Sequence, residues 1–298
     1  MSLMAKVANA VIRRTVGRRV RRDDDVLALR PMLEAMAHRP PRVSGGVHHE
    51  RTTIGGVPVE RLAPRAGAGS EVVLYLHGGG FVAGAPASHR ALSSRLAEGL
   101  GATVLAVDYR LAPEHPFPAA PDDVLAVYRA VLEGGAAPAG VAVVGDSAGG
   151  HLALGLGIRL VALGEPVPAA IVGLSPVCDA FDAARPEAPG EAILTPGLLR
   201  SMGPRYAPEL MPDDPRLALV RADLRGLPPV LLHASDAELL HHDAVVMRDA
   251  LRAAGVEVTL ETWPGQFHVW HLGAPWIPEA NAAIAALNAF LRDRFAGR

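Results

Sequence analysis

Six short runs of aliphatic and β-branched residues, at 71–76, 103–107, 141–145, 169–174, 229–234 and 256–262, alternate with longer stretches of helical periodicity at 89–100, 121–133, 148–163, 242–254 and 279–295. This alternation is the strongest constraint on the fold. Strands that are apolar on both sides and separated by helices pair in parallel, with helices covering both faces of the sheet. Residues 47–53 and 57–62, split by Gly55-Gly56, read instead as an antiparallel hairpin at the start of the sheet. The expectation is an α/β chain with a mostly parallel sheet of about eight strands.

Two segments break the alternation: an arginine-rich start running to about Pro41, and a proline-rich stretch from Phe181 to about Gly226. Insertions of this kind sit over the carboxyl ends of the strands, where ligands bind. The expected division is therefore N-terminal cap helices at 1–45, a core at 46–180 and 227–298, and a cap insertion at 181–226.

The chain has 298 residues, half of them hydrophobic, enough for one large domain with an accessory part. Its 29 basic and 31 acidic residues leave a formal charge of −2, so no global field favours nucleic acid. One cysteine, Cys178, excludes an intramolecular disulfide and a cysteine-based metal site. The first 26 residues hold arginines at 13, 14, 18, 19, 21 and 22 and no apolar run of signal or membrane-span length, which reads as a cytoplasmic protein. Val7, Ala10, Val11, Val16 and Val20 suit an amphipathic helix, expected to pack on its own protein rather than on a membrane.

Gly145-Asp146-Ser147-Ala148-Gly149 follows a buried run and opens a helical one. A serine on a sharp strand-to-helix turn holds its hydroxyl clear of the sheet, and flanking glycines let the backbone make that turn. Ser147 is thus the candidate nucleophile. An acyl-transfer step leaves negative charge on a carbonyl oxygen and needs donors already aimed at it. His77-Gly78-Gly79-Gly80 ends a strand and can present such donors; Gly79, Gly80 and the N–H of Ala148 are assigned to them, with Gly78 shaping the loop.

The base and its orienting acid are expected after the serine, in the chain order of serine, acid, histidine that accompanies a nucleophile on such a strand-to-helix turn. Asp236 lies just past the strand 229–234, and His268 follows the last strand on the loop Pro264-Gly265-Gln266-Phe267. Asp236 is preferred over Glu238 and Asp243, which are read as lying further into the next helix; His268 is preferred over His271, and His77 is read as a brace. The cluster His241, His242 and Asp243 lacks the geometry of a metal site and is read as solvated. His48-His49, in a strand, reads as structural. Leu194, Leu198, Leu199, Met202, Tyr206 and Leu210 of the insertion suit either an acyl or alcohol pocket or plain packing of the lid.

At His77-Gly78-Gly79-Gly80-Phe81, at Asp108-Tyr109-Arg110-Leu111-Ala112-Pro113-Glu114-His115-Pro116-Phe117-Pro118-Ala119 and at Gly145-Asp146-Ser147-Ala148-Gly149-Gly150, the chain resembles the bacterial hormone-sensitive-lipase-like esterases. The resemblance continues through Ser175-Pro176, residues 224–229 and residues 235–240, and is weakest at the extreme N-terminus. It implies an α/β-hydrolase fold with a helical cap, and cofactor-free hydrolysis of short to medium acyl esters by Ser147, His268 and Asp236. Phe81, Leu198, Met202 and Tyr206 are expected to touch substrate, and a homodimer through the last strand is implied. Acyl transfer and lactone hydrolysis use the same triad. A non-catalytic small-molecule receptor is disfavoured because His268 is present.

Overall fold

The computed structural model describes residues 1–180 and 185–297, so the first four residues of the expected insertion lie outside the described residues. Eight strands form one sheet in the order β1-β2-β4-β3-β5-β6-β7-β8. They are β1 Val47–Ile54, β2 Val57–Pro64, β3 Val72–Leu76, β4 Thr103–Val107, β5 Val141–Asp146, β6 Ala170–Leu174, β7 Val230–Ser235 and β8 Val258–Trp263. The β1–β2 hairpin turns through Gly55 and Gly56, both at positive φ, and β2 pairs antiparallel with β4; every other pairing is parallel.

The helices are α1 Leu3–Arg14, α2 Val16–Asp23, α3 Arg30–His38, α4 Arg90–Leu100, α5 Ala119–Glu133, α6 Ala148–Leu163, α7 Pro196–Tyr206, α8 His241–Ala253 and α9 Pro278–Ala296. Side chains alternate across a strand, and so the sheet builds two cores. Leu74, Leu76, Val143, Ile171 and Leu232 pack with α5, α6 and α8, while Val73, Tyr75, Val144, Val172 and Leu231 pack with α9 and with Leu92 and Leu96 of α4. Strands β4 to β7 are buried throughout, whereas β8 alternates between half-buried and exposed residues as an edge strand does. It starts two residues later than the sequence pattern suggests, because the N–H of Val256 still closes the end of α8 on the carbonyl of Leu251.

The first core continues into the cap. Val26, Leu29 and Leu33 from the N-terminal segment meet Leu198, Leu199 and Met202 of α7. Polar bonds join the same two segments: Ser201 Oγ accepts from the N–H of Val26 at 2.8 Å, the Thr195 hydroxyl donates to Asp24, and Arg205 pairs with Asp25 at 2.9 Å. The N-terminal helices and the insertion therefore pack as one layer over the sheet.

The close contact of α6 with the sheet depends on glycine. A Cβ on Gly149 would lie 2.0 Å from the carbonyl oxygen of Leu76, and one on Gly145 would lie 2.1 Å from the carbonyl oxygen of Gly149. Gly149→Ala must push the start of α6 away from β3. We expect a loss of about 3 kcal/mol of stability, the scale of an overpacked core, measured by urea unfolding. An unchanged midpoint would show that the turn accepts wider spacing.

Candidate active site

At the carboxyl end of β5 the chain reverses through Ser147 with φ 53° and ψ −118°, and α6 begins at the next residue. A positive φ at a residue with a Cβ costs on the order of 1–3 kcal/mol and persists only where the surroundings impose it. Here the Ser147 N–H donates to the carbonyl of Leu174 at 2.8 Å, and its own carbonyl accepts from Val177 and His151. The hydroxyl is thereby held at the top of the sheet, although Ser147 itself is only 8 % exposed.

Beneath the turn is a buried polar layer. Asp146 accepts a hydrogen bond from the Tyr75 hydroxyl and lies 3.3 Å from Nε2 of His89. Burial works to raise the pKa of Asp146, but the charge and hydrogen bonds of His89 and the hydroxyl of Tyr75 outweigh it and hold the pKa below the usual carboxylate value. His89 is shifted up in return: burial opposes its charge, and Asp146 overcomes that.

The loop after β3 lies beside the serine. Gly79 and Gly80 have φ of +129° and +63°, conformations that exclude most other residues. A Cβ on Gly79 would meet the carbonyl oxygen of Ala83 at 2.1 Å, and one on Gly80 would meet Val26 of the cap at 2.2 Å. His77 takes the bracing position: its ring stacks on Tyr109 with centroids 4.3 Å apart, and its Nδ1 bonds the Gly78 carbonyl at 2.9 Å. Burial lowers its pKa to about 4, which keeps it neutral. Residues 109–114 brace the loop from outside. Tyr109 donates to the carbonyl of His77, the N–H of Ala112 donates to the carbonyl of Phe81, and Arg30 of α3 bonds Val82, Ala112 and Glu114 together.

His268, on the loop after β8, comes to Ser147 as its chain position suggests, with Nε2 2.9 Å from the serine Oγ. The acid on its other side is not Asp236. Nδ1 of His268 lies 2.7 Å from Oε2 of Glu238, whose side chain is fully buried. Glu238 precedes α8, in the turn between β7 and that helix, and does not lie within the helix. Ser235-Asp236-Ala237-Glu238 closes on itself like a helix capping box. The Glu238 Oε1 accepts from the N–H of Ser235 at 2.8 Å, and the Ser235 Oγ accepts from Ala237 at 3.2 Å. That turn carries Glu238 inward and leaves Asp236 at the exposed rim, where Oδ1 accepts from the N–H of Gly265 at 2.7 Å. Asp236 thus steadies the loop that carries His268 without touching the imidazole. Ser175, at φ 49°, completes the set by donating to Glu238 at 2.8 Å.

Burial disfavours a charge on His268, yet the hydrogen bond and charge of Glu238, with Glu191 and Asp146 further off, raise its pKa above the ordinary imidazole value. Since Nδ1–H donates to the carboxylate, Nε2 faces the serine with a free lone pair.

His271 is buried and turned away, its Nε2 3.1 Å from Nδ1 of His233. Asp243 is not solvated: it is buried, pairs with Arg185 at 2.6 Å and accepts from the N–H of Cys178 at 2.8 Å. No cluster able to hold a metal ion occurs among the described residues. His49 lies 3.1 Å from Glu60 within the hairpin.

Phe81 of the glycine loop and Leu198, Met202 and Tyr206 of the cap helix α7 are all buried. Phe81 stacks on Tyr206 at 3.9 Å, and Met202 borders the outer side of Gly80. A cavity of about 1020 Å³ opens behind that stack, lined by Phe117, His151, Ile158, Tyr206, Leu210 and Leu219 among others. Its lining includes neither Ser147 nor His268.

Residues 73–272 match the model of a family described as having the alpha/beta hydrolase fold. An acetyl-hydrolase of Streptomyces hygroscopicus is 43 % identical over 244 residues, 80 % of this chain and 81 % of that protein. An esterase of Acinetobacter venetianus is 33 % identical over 88 % of each chain. The crystal structure of an esterase from the bacterial hormone-sensitive lipase family superposes with a TM-score of 0.89 at 34 % identity, covering 99 % of both chains.

The two carboxylates can be told apart by titrating His268. Glu238→Gln removes the largest of the interactions that raise its pKa and leaves burial, which lowers it, so the NMR-detected pKa should fall. Asp236→Asn should leave it in place. A fall in the second variant alone would reverse the assignment.

Proposed function

We propose that this chain, which belongs to the alpha/beta-hydrolase-fold family and is a carboxylesterase of the bacterial hormone-sensitive-lipase-like group, cleaves short-chain acyl esters through Ser147, His268 and Glu238. The observation that carries the reading is the unbroken line from Ser147 Oγ to His268 Nε2 at 2.9 Å and from Nδ1 to Glu238 at 2.7 Å, beside the glycine loop.

Ser147 attacks the ester carbonyl while His268 accepts its proton at Nε2. Glu238 stabilises the imidazolium that forms and holds the ring in the tautomer that makes the transfer possible. The carbonyl oxygen takes up negative charge beside the N–H groups of Gly79, Gly80 and Ala148. A donor of this kind contributes about 3 kcal/mol, because it is aimed at the charge before the charge appears. His268 then protonates the departing alkoxide, leaving an acyl group on Ser147. Water deprotonated by the same imidazole releases the acid. No metal or cofactor enters the sequence of steps.

Short acyl chains are favoured by the tight cover over the glycines, where Val26, Leu33 and Met202 border Gly79 and Gly80. The naming of the Streptomyces hygroscopicus relative as an acetyl-hydrolase supports the same choice.

Initial rates on a p-nitrophenyl ester series from acetate to palmitate test the proposal. Turnover should peak at the short end. Ser147→Ala should leave about one part in 10⁵ or less, since the nucleophile is lost from a cooperative triad. Glu238→Gln should lower kcat/KM about 10³-fold or more. Asp236→Asn should stay within about tenfold, the scale of one surface hydrogen bond. Activity surviving in Ser147→Ala, or lost in Asp236→Asn and kept in Glu238→Gln, would overturn the assignment.

The base must be neutral in the free enzyme. Because the pKa of His268 is raised, kcat/KM should rise with pH through a midpoint above the ordinary imidazole value of about 6.5. A midpoint below that value would contradict the ion pair with Glu238.

A further inference from the structure

Helix α1 turns a row of large apolar side chains to solvent. Leu3 is 76 % exposed, Met4 50 %, Val7 55 % and Val11 53 %, and Ala5 is the one residue of the helix that is buried. These residues recur at helical spacing on a single face, and Arg14, seven residues after Val7, falls on the same stripe. Across from them Trp276 is 74 % exposed on the segment before α9. Between the two lies an open groove of about 620 Å³ whose lining has no charged residue: Leu3, Met4, Val7, Val11, Phe267 and Trp276 are its main walls. Exposed apolar patches of this extent on a water-soluble surface mark places where something docks.

The charge of the segment that carries α1 points to the partner. Residues 1–22 hold seven basic side chains, Lys6, Arg13, Arg14, Arg18, Arg19, Arg21 and Arg22, and no acidic one, in a chain whose overall charge is −2; Asp23, Asp24 and Asp25 follow directly and are bonded to Arg22, Thr195 and Arg205. All seven are exposed. A second copy seated symmetrically on this groove would bring two such cationic segments together, so like-charge repulsion opposes self-association. An apolar stripe with an interfacial tryptophan, beside a cationic segment, fits the boundary of an anionic bilayer, where rings and aliphatic chains enter and guanidinium groups meet phosphates. No helix among the described residues is long and apolar enough to cross a membrane, so the contact is peripheral.

We propose that the α1–Trp276 face docks this protein on anionic phospholipid surfaces. The groove adjoins the loop that carries His268: Phe267 forms part of its wall, and Asn9 of α1 donates to the Gly265 carbonyl at 2.6 Å. Docking there places the loop after β8 close to the lipid boundary. The proposal is independent of the assignment of Ser147, because it concerns binding and not turnover.

The test uses the full chain and vesicles of phosphatidylcholine, alone or mixed with phosphatidylglycerol. The expected result is cosedimentation with the mixed vesicles, weakened by salt as surface electrostatics are screened, with a blue shift in tryptophan emission. Trp276 supplies that shift, since Trp270 is buried and Trp263 half-buried. Val7→Asp with Val11→Asp should abolish binding while leaving hydrolysis of a soluble short-chain ester unchanged, which also shows that the variant folds. Arg18→Glu with Arg19→Glu should weaken binding to the mixed vesicles at low salt. No binding to anionic vesicles at low salt, or equal binding by the aspartate variant, would overturn the proposal. A concentration-dependent dimer in sedimentation velocity that the aspartate variant abolishes would also overturn it, in favour of a second copy as the occupant.

Discussion

Three separate parts of the chain meet at the carboxylate of Glu238, and a fourth is bonded to the residue beside it. Glu238 accepts from Ser235 at the end of β7, from Ser175 at the end of β6 and from His268 on the loop after β8, while its neighbour Leu239 donates to Glu191 of the cap at 3.0 Å. A buried carboxylate without donors would cost several kcal/mol. These segments are therefore not free to drift independently, and the position of the imidazole follows from theirs. Glu191 extends the linkage by accepting from Ile193 and Leu194 as well, so the start of the cap segment is registered against the acid's own turn.

The other half of the site is fixed from below. Asp146, Tyr75, His89 and His77 form a buried layer under Ser147 and the glycine loop, and Tyr109 closes it by stacking on His77. A glycine-rich loop is entropically expensive to order, and here the order comes from rings and hydrogen bonds around it. The long motif at 108–119 is thus a brace: Arg110 pairs with Asp123 at 2.7 Å, which holds the motif on α5, and Arg30 ties it to the cap. One consequence is a division of labour in which the serine side is rigid through burial and the histidine side through a shared carboxylate.

Much of this could be read from the residues. The central strands announce themselves as continuous apolar runs because both of their faces are covered, and Thr103–Val107 and Ala148–Leu163 occur with the expected bounds. That Ser147 and His268 meet was legible for the same reason: each follows a recognisable strand within a loop of few residues. Glu238 was not, since two carboxylates lie within three residues of the end of β7 and only the path of the turn decides between them. A signal was nonetheless present in Ser235-x-x-Glu238, the pattern of a capping box, which directs the glutamate back onto the serine's N–H. Asp243 illustrates the complementary failure. Its burial depends on Arg185, a residue of the irregular segment 58 positions away, and local periodicity carries no information about such a pair.

Helix α1 shows where local pattern and tertiary context part company. Its amphipathic character suggests a helix laid against its own protein, yet only its small side, Ala5, Ala8 and Ile12, packs on the core, and polar bonds add to that hold along the same side. Ser2 bonds Glu279, Asn9 bonds Gly265, and Arg13 reaches the carbonyl of Glu191 at 3.1 Å. A helix whose attachment came from apolar burial would lose that attachment if its stripe were turned outward. Here Ala5, Ala8 and Ile12 together with hydrogen bonds to the loop after β8, to α9 and to the cap do the holding, and the larger aliphatic stripe remains available. Because those same bonds end on the loop of His268 and on the residue that supports Leu239, the orientation of α1 is coupled physically to the loop that carries the imidazole and to the turn that carries Glu238.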